Sequence, residues 1–532
     1  MENKEILLPC SETCGCRKFA AALNELTGIS GKKSLVLEKG IYRFDKADSM
    51  PVTLPVSNTI DRNDSQIKHI GLLLENIDDL TIEGSGAKLL MNGDMSAIVI
   101  KNCRNITLKD LVIDYVFPRV SEMIVVEKEG NSVLFSISPD SRWKLDEKGH
   151  FCWINGDGIT ETFESRQVVQ CAAADGSSNL RQLFNPVREA VKVEQISEFQ
   201  VKFSYSTIPP VEIGEVWQFR DPSRRENGVV IVGSENITFN GMELNFTPGL
   251  GIVAQMSRDI AILNHRHAPA SGSSRVCAAH ADCIQVSSCY GKVEIANGFF
   301  SGSQDDPINI HGTYLGVEKI SGREVELRFC QPETWGWMPF SVGDELSFVR
   351  KSDFQRAEMC RVEKPAALDG DRVKLIVDRE ICTIGKPEDF VVENLSAYPD
   401  VEIRNCIFEC YPTRGLLLTS AGKCRVHDNE FRQTAARPAI YISADVNSWY
   451  ESGGVQDVKI YHNRFRFSTA PVIDILPEVP QDGKEAVHRN IEIFDNSFEN
   501  CSSLLLRYRS VENLKTDIAE KFIEKAGFTG RK

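Results

Sequence analysis

One short phrase recurs along this chain: a polar residue, alternating β-branched or apolar residues, then Asn or Gly, then Phe or Leu. It reads DLTIEGS from Asp79, NITLKDL from Asn105, NITFNGM from Asn236 and DIAILNH from Asp259. It returns as KVEIANGFF from Lys292, DVEIRNCIF from Asp400, KCRVHDNEF from Lys423, DVKIYHNRF from Asp457 and NIEIFDNSF from Asn490. Start-to-start spacings are 26 residues from Asp79 to Asn105, 23 from Asn236 to Asp259 and 23 from Asp400 to Lys423. The 34 residues from Lys423 to Asp457 fit a coil carrying an extra loop. Strands this short cannot bury an apolar face alone, so repeats at this period stack into a solenoid. The inward positions hold Ile, Val, Leu and Phe, and the polar residue after them suits a sharp corner. A β-sandwich also has short strands, but it lacks a repeated phrase. The expectation is an all-β chain built as a right-handed parallel β-helix.

The ends and the interruptions refine this. RKFAAALNEL (17–26) has a helical pattern, and KKSLVLEKGIYRF (32–44) reads as strand, Gly turn and strand. A helix there would cover the open end of the solenoid, hiding strand edges that invite aggregation. TDIAEKFIEKAG (516–527) is amphipathic and is expected to close the last coil as a helix. Two stretches abandon the repeat for hairpin-like text with EGN, SGR or DGD at the turns. They predict two inserted small β-barrels or sandwiches. The expected division is 1–116 for the N-terminal cap and first coils, 117–220 for one inserted β-barrel and 221–314 for the central coils with the active site. The second β-barrel takes 315–393, and 394–532 forms the last coils and terminal helix.

Composition narrows the partners. The formal charge of −14 argues against nucleic acid, which needs a concentrated basic surface. It suits a neutral substrate better than a polyanion. No stretch approaches the roughly 20 apolar residues of a membrane span. The start, MENKEILLPCSETCGC, lacks a basic region followed by an apolar run, and predicts an intracellular chain unless a leader has been removed. Among 16 cysteines, Cys103, Cys406, Cys424 and Cys501 occupy apolar positions of strand-like runs, where Cys acts as a small hydrophobe. Cys10, Cys14 and Cys16 have no second Cys/His pair nearby to complete a zinc site. No metal or cofactor is expected.

Reactive residues concentrate in 236–314. His265, His267, His280 and His311 fall here, with Asp282 in HADCIQV and Asp305 and Asp306 in QDDPINIHG. Adjacent strand residues point to opposite faces, so an Asp-Asp pair on a regular strand would bury one carboxylate in apolar surroundings. A strand end or bulge ahead of Pro307 leaves both on the groove. Asp282 lies 23 residues before Asp305, one coil away, where stacked coils sit about 4.8 Å apart. Three such carboxylates repel, and one pKa must rise. Glycoside hydrolysis uses that arrangement, a protonated acid beside an ionised partner. The bland readings are turn residues without a role or a calcium site. HRH (265–267) is a strand-like pair lacking a third zinc ligand. His280, Asn309 and His311 are candidate sugar contacts, although His311 reads equally as a surface turn residue. Trp335, in QPETWGWMPF, is a candidate platform for a sugar ring, or part of its barrel's core.

At these residues the text resembles a known family. QMSRDIAILNHRH, HADCIQVSSCYGKVEI, GSQDDPINIHGTYLGV and QPETWGWMPFSVGDELSFVR are similar to glycoside hydrolase family 110, the inverting α-1,3-galactosidases. The likeness is strongest over 227–350, with DDPINIHG fairly specific and the NIT-type phrases generic to pectin-lyase-like solenoids. It implies catalytic carboxylates at Asp282, Asp305 and Asp306, and release of terminal α-1,3-linked galactose from branched (blood group B-like) or linear glycans. The expected roles are Asp305 as general acid, with Asp282 and Asp306 holding and deprotonating water. One residue of strand slip would exchange Asp305 and Asp306. Two rivals are a calcium-dependent lyase or epimerase and a non-catalytic glycan-binding solenoid. The lyase needs basic residues to neutralise an acidic substrate, and Arg275, Lys292 and Lys319 are the nearest in sequence.

Overall fold

The structure is a computed structural model that describes residues 4–527 apart from 11–12, 14, 162–165, 177, 433–436, 470 and 482. The recurring phrases stack in register. Leu80, Ile106, Ile237, Ile260, Val293, Val401, Cys424, Val458, Ile491 and Leu514 form one column, each paired with the next by parallel strands. A second long parallel sheet runs alongside, and the apolar core lies inside the coils. The winding is that of a right-handed parallel β-helix, the hand that parallel crossovers adopt almost without exception.

In five of the nine phrases the opening polar residue makes the corner possible. Asp79, Asn105, Asn236, Asp259 and Asn490 have φ between 51° and 57°, the left-handed region that Asn and Asp tolerate best. Their side chains also bridge coils: Asn105 Nδ2 donates to Asp79 Oδ1 at 2.7 Å, and Asn236 Nδ2 to Asn105 Oδ1 at 2.7 Å. The phenylalanine that closes the phrase stacks inside. Phe300, Phe408, Phe431, Phe465 and Phe498 form a ladder with successive ring centroids 4.7–5.3 Å apart. Cys103, Cys406 and Cys424 are buried among these residues, and Cys501 is half-buried.

The helix Gly15–Leu26 lays Phe19, Leu23 and Leu26 on the first coil, as its pattern predicts. The other end departs from expectation. Residues 516–527 are not a helix: a 3-10 turn, Glu520–Phe522, leads into strand Ile523–Lys525, which continues the parallel ladder beside Leu506–Tyr508. Ile518, Phe522 and Ile523 reach the core that way. Pairing an otherwise open sheet edge outweighs a helical period in so short a segment.

The two interruptions fold as antiparallel sheet. Leu315–Ser321 through Phe390–Asn394 close a six-stranded barrel around Leu327, Phe329, Phe348 and Leu375. Ser121–Glu129 through Val216–Arg220 stay open, as a seven-stranded sheet sharing one core with a three-stranded sheet. Its two edges are strands Asn179–Arg181 and Lys192–Ser197; the second has mostly exposed side chains, with Val193 packed against the core. Arg119 at the entry pairs with Asp221 at the exit (2.5 Å), so this unit leaves and rejoins the coils at one place.

Candidate active site

HADCIQV and DDPINIHG become neighbouring coils. Strand Ile284–Ser287 pairs with Ile308–Thr313, Ile284 opposite Ile308, and Ile308 lies opposite Leu416 on the next coil. Counting back two residues from each gives a column of Asp282, Asp306 and Arg414. Asp282 thus lies on the coil next to the Asp-Asp pair, opposite Asp306. The Asp-Asp pair sits in a bend just before its strand, ahead of Pro307, and both side chains reach one cavity. A proline at a strand's start lacks an N–H that the ladder would otherwise use.

The cavity, about 280 Å³, is at the small end of ligand pockets. Its lining includes Asp282, Asp305, Asp306, Asn309, Arg414 and Glu451. Arg414 donates to both oxygens of Asp306, from its backbone N at 2.9 Å and Nη2 at 2.6 Å. Arg181 Nη2 lies 2.9 Å from Asp305 Oδ2. Arg224, also on the lining, pairs with Glu333 and sits 5.3 Å from the ring centroid of Trp449. Glu451 accepts from Asn309 Nδ2 at 3.1 Å and Asn58 Nδ2 at 3.4 Å, with His311 Nε2 3.6 Å away.

The three aspartates are not equivalent. Burial, then the charges of Asp305 and Asp306, push Asp282 well above the carboxylate range. Burial raises Asp306 to about 6 against the opposing pull of Arg414. Burial also acts on Asp305, but Arg181, Arg414, Arg224 and Arg220 together hold it below its ordinary value. The group expected to keep a proton is the ionised one while Arg181 stands beside it.

Other sequence candidates divide. Asn309 lines the cavity, and His311 contacts Glu451 from behind it. His280 is fully buried outside the lining and held neutral by burial and by Arg220, Arg119 and Arg224. His265 and His267 are buried, with ring centroids 5.8 Å apart, and burial pushes His265 down to about 4. Trp335 is a correction: it packs against the barrel core, donates Nε1 to Ile60 O at 2.9 Å and lies outside the lining, while Trp337 is buried in that core. Of the zinc candidates, Cys10 is exposed, Cys16 is buried, and Cys14 lies outside the described residues.

Along the whole chain, the α-1,3-galactosidase A of Bacteroides thetaiotaomicron is 32% identical over 507 residues, 93% of this chain and 87% of the relative. The chain belongs to the α-1,3-galactosidases, glycoside hydrolase family 110. A second α-1,3-galactosidase A, from Streptomyces avermitilis, is 30% identical over 529 residues, covering 94% of this chain and 84% of its own length. The α-1,3-galactosidase B of B. thetaiotaomicron is 30% identical over 511 residues, 90% and 79% of the two chains. No family model matches. The exopolygalacturonase of Yersinia enterocolitica aligns with 99% of the chain at 12% identity and a TM-score of 0.39, too loose to carry an assignment.

This galactosidase-family chain brings to its cavity residues that sequence reasoning missed: Arg181, Arg224, Arg414, Arg437, Glu451 and Trp449. The basic residues at the cavity are thus not the ones nearest in sequence, Arg275, Lys292 and Lys319. Arg275 is instead buried in pairs with Asp114 and Asp140, and Lys292 pairs with Glu402. Three of the cavity's arginines are matched by the chain's own carboxylates, at Asp305, Glu333 and Asp306. Arg414 alone had a sequence signal, because TRGLLL aligns with DDPINI once coils are superposed on their inward strands.

Proposed function

We propose that this glycoside hydrolase releases a terminal α-1,3-linked galactose, from branched (blood group B-like) or linear glycans, with inversion. Asp282, Asp305 and Asp306 carry the proton transfers. The observation that supports this is the meeting of three aspartates in one small cavity, two pushed up and one held down. Inverting hydrolysis needs a protonated acid at the leaving oxygen and an ionised base, roughly 6.5–9.5 Å away, for water.

In this reading one proton is shared. It rests on Asp282 while Arg181 holds Asp305 ionised. Arg181 is half exposed, so an arriving sugar can draw it aside. Burial then pushes Asp305 up against the remaining pull of Arg414, Arg224 and Arg220, and the proton passes from Asp282 to Asp305. Asp305 protonates the departing oxygen as Asp282 and Asp306 orient the water and accept its proton. The reading treats 117–220 and 315–393 as inserted units serving the central coils. It also places the chain in a reducing compartment, supported by 15 free cysteines among the described residues.

The test follows product anomer and leaving group together. NMR should show galactose appearing first as the β-anomer from an α-linked disaccharide. Asp305→Asn should lose roughly 10²–10⁴-fold on the disaccharide, the usual worth of a general acid. It should lose far less on a substrate whose leaving group needs no proton. First appearance of the α-anomer, or equal losses on both substrates, sinks the scheme.

A further inference from the structure

A second, smaller cavity of about 50 Å³ adjoins the first, and Arg414, Trp449 and Glu451 line both. Its remaining wall includes Tyr441, Ser443, Asp445 and Glu478. The indole shared by the two cavities is 41% exposed, unusual for so large an apolar ring. It is also firmly held. Asp445 accepts hydrogen bonds from Asn447 N (2.6 Å), Ser448 N (3.1 Å), Ser448 Oγ (2.8 Å) and Trp449 N (2.6 Å), fixing the loop that presents the ring. Such anchoring limits the entropy lost when a ligand stacks on the ring.

Resting on the hydrolase reading, we infer that Trp449 and this cavity form the subsite for the leaving sugar. The cavity has room for a few water-sized groups but not for a ring. The sugar ring therefore lies over the indole, and one hydroxyl or hydroxymethyl group enters the cavity. Apolar sugar C–H faces pack on indole in that manner. The carboxylates of Asp445, Glu478 and Glu451 on the wall set the chemical class: a neutral sugar is accepted, and one bearing a carboxylate or sulfate is repelled. Arg414, the cation on that wall, is already engaged by Asp306, and Arg224, over one face of the indole, by Glu333, so the sugar takes the other face.

The experiment compares kcat/KM on an α-1,3-linked digalactoside with that on α-galactosyl fluoride, which has no sugar to place in the subsite. In Trp449→Ala the ratio of disaccharide to fluoride should fall at least tenfold, mostly through KM, and Trp449→Phe should restore most of it. For the wild type, a disaccharide whose second sugar is a uronic acid should be at least tenfold poorer than the neutral one. A ratio within twofold of wild type in Trp449→Ala overturns the subsite, as does equal use of the acidic disaccharide. A wild type that cleaves neither galactoside overturns the hydrolase reading and the subsite with it.

Discussion

Arg181 shows how one residue can set the chemistry of another. Its guanidinium, supplied by the edge strand Asn179–Arg181 of the open inserted sheet, keeps Asp305 ionised despite burial. The sign of its removal follows. In Arg181→Ala the depressed pKa of Asp305 rises, so in the proposed scheme the free enzyme keeps the proton shared by Asp282 and Asp305 to higher pH. The alkaline limb of kcat/KM should move to higher pH, as removal of a close opposite charge requires, and Arg181→Lys should restore it in part. An unmoved limb would show that Arg181 does not govern that proton. Asp306 has no such freedom: Arg414 grips both its oxygens from the adjacent coil.

At the scale of elements, the coil is stabilised by ladders, each residue type stacking on its own kind. Asn and Asp stand at the corners in a left-handed conformation, and Phe stacks inside with rings nearly parallel. Phe431 sits mid-ladder, fully buried, between Phe408 and Phe465. Truncating it removes two stacking contacts and leaves a cavity in a close-packed interior. Phe431→Ala should cost about 3–5 kcal/mol of unfolding free energy in urea titration. A cost below about 1 kcal/mol would mean the ladder relaxes to fill the gap. Periodicity alone reads the helix Gly15–Leu26 correctly but misreads 516–527, because both segments are amphipathic and only the second has an unpaired strand beside it.

For the molecule as a whole, the coils carry the three aspartates, while the additions to them carry much of what tunes those aspartates. The open sheet brings Arg181, its return loop Arg224, the barrel Glu333, and a loop of a later coil Trp449. Entry and exit of the open unit are joined by the Arg119–Asp221 pair, and Ser121 pairs with Phe219. Replacing 121–220 by a short Gly/Ser linker should therefore leave a β-rich, cooperatively melting chain. Galactosidase kcat/KM should nevertheless fall by roughly 10²-fold or more, the scale of losing a positioned group at the reacting centre. Loss of the β signal in circular dichroism would mean that the coils need the insertion to fold.

What the sequence determined by itself is what repeats: the parallel coils, their apolar column, the polar corners and the two interruptions, since these follow from local period and turn chemistry. It also marked Asp282, Asp305 and Asp306, because they stand close together in a text otherwise devoted to packing. Tertiary structure decided what distance along the chain conceals. Arg181, Arg224, Arg414 and Glu451 lie between 58 and 169 residues from Asp282 in sequence yet line one cavity with it. The register that sets Asp282 against Asp306 rests on pairing between coils, as does the exchange of Trp449 for Trp335 at the cavity. Which carboxylate is charged depends on burial and on neighbours brought from other coils, and a linear text contains neither.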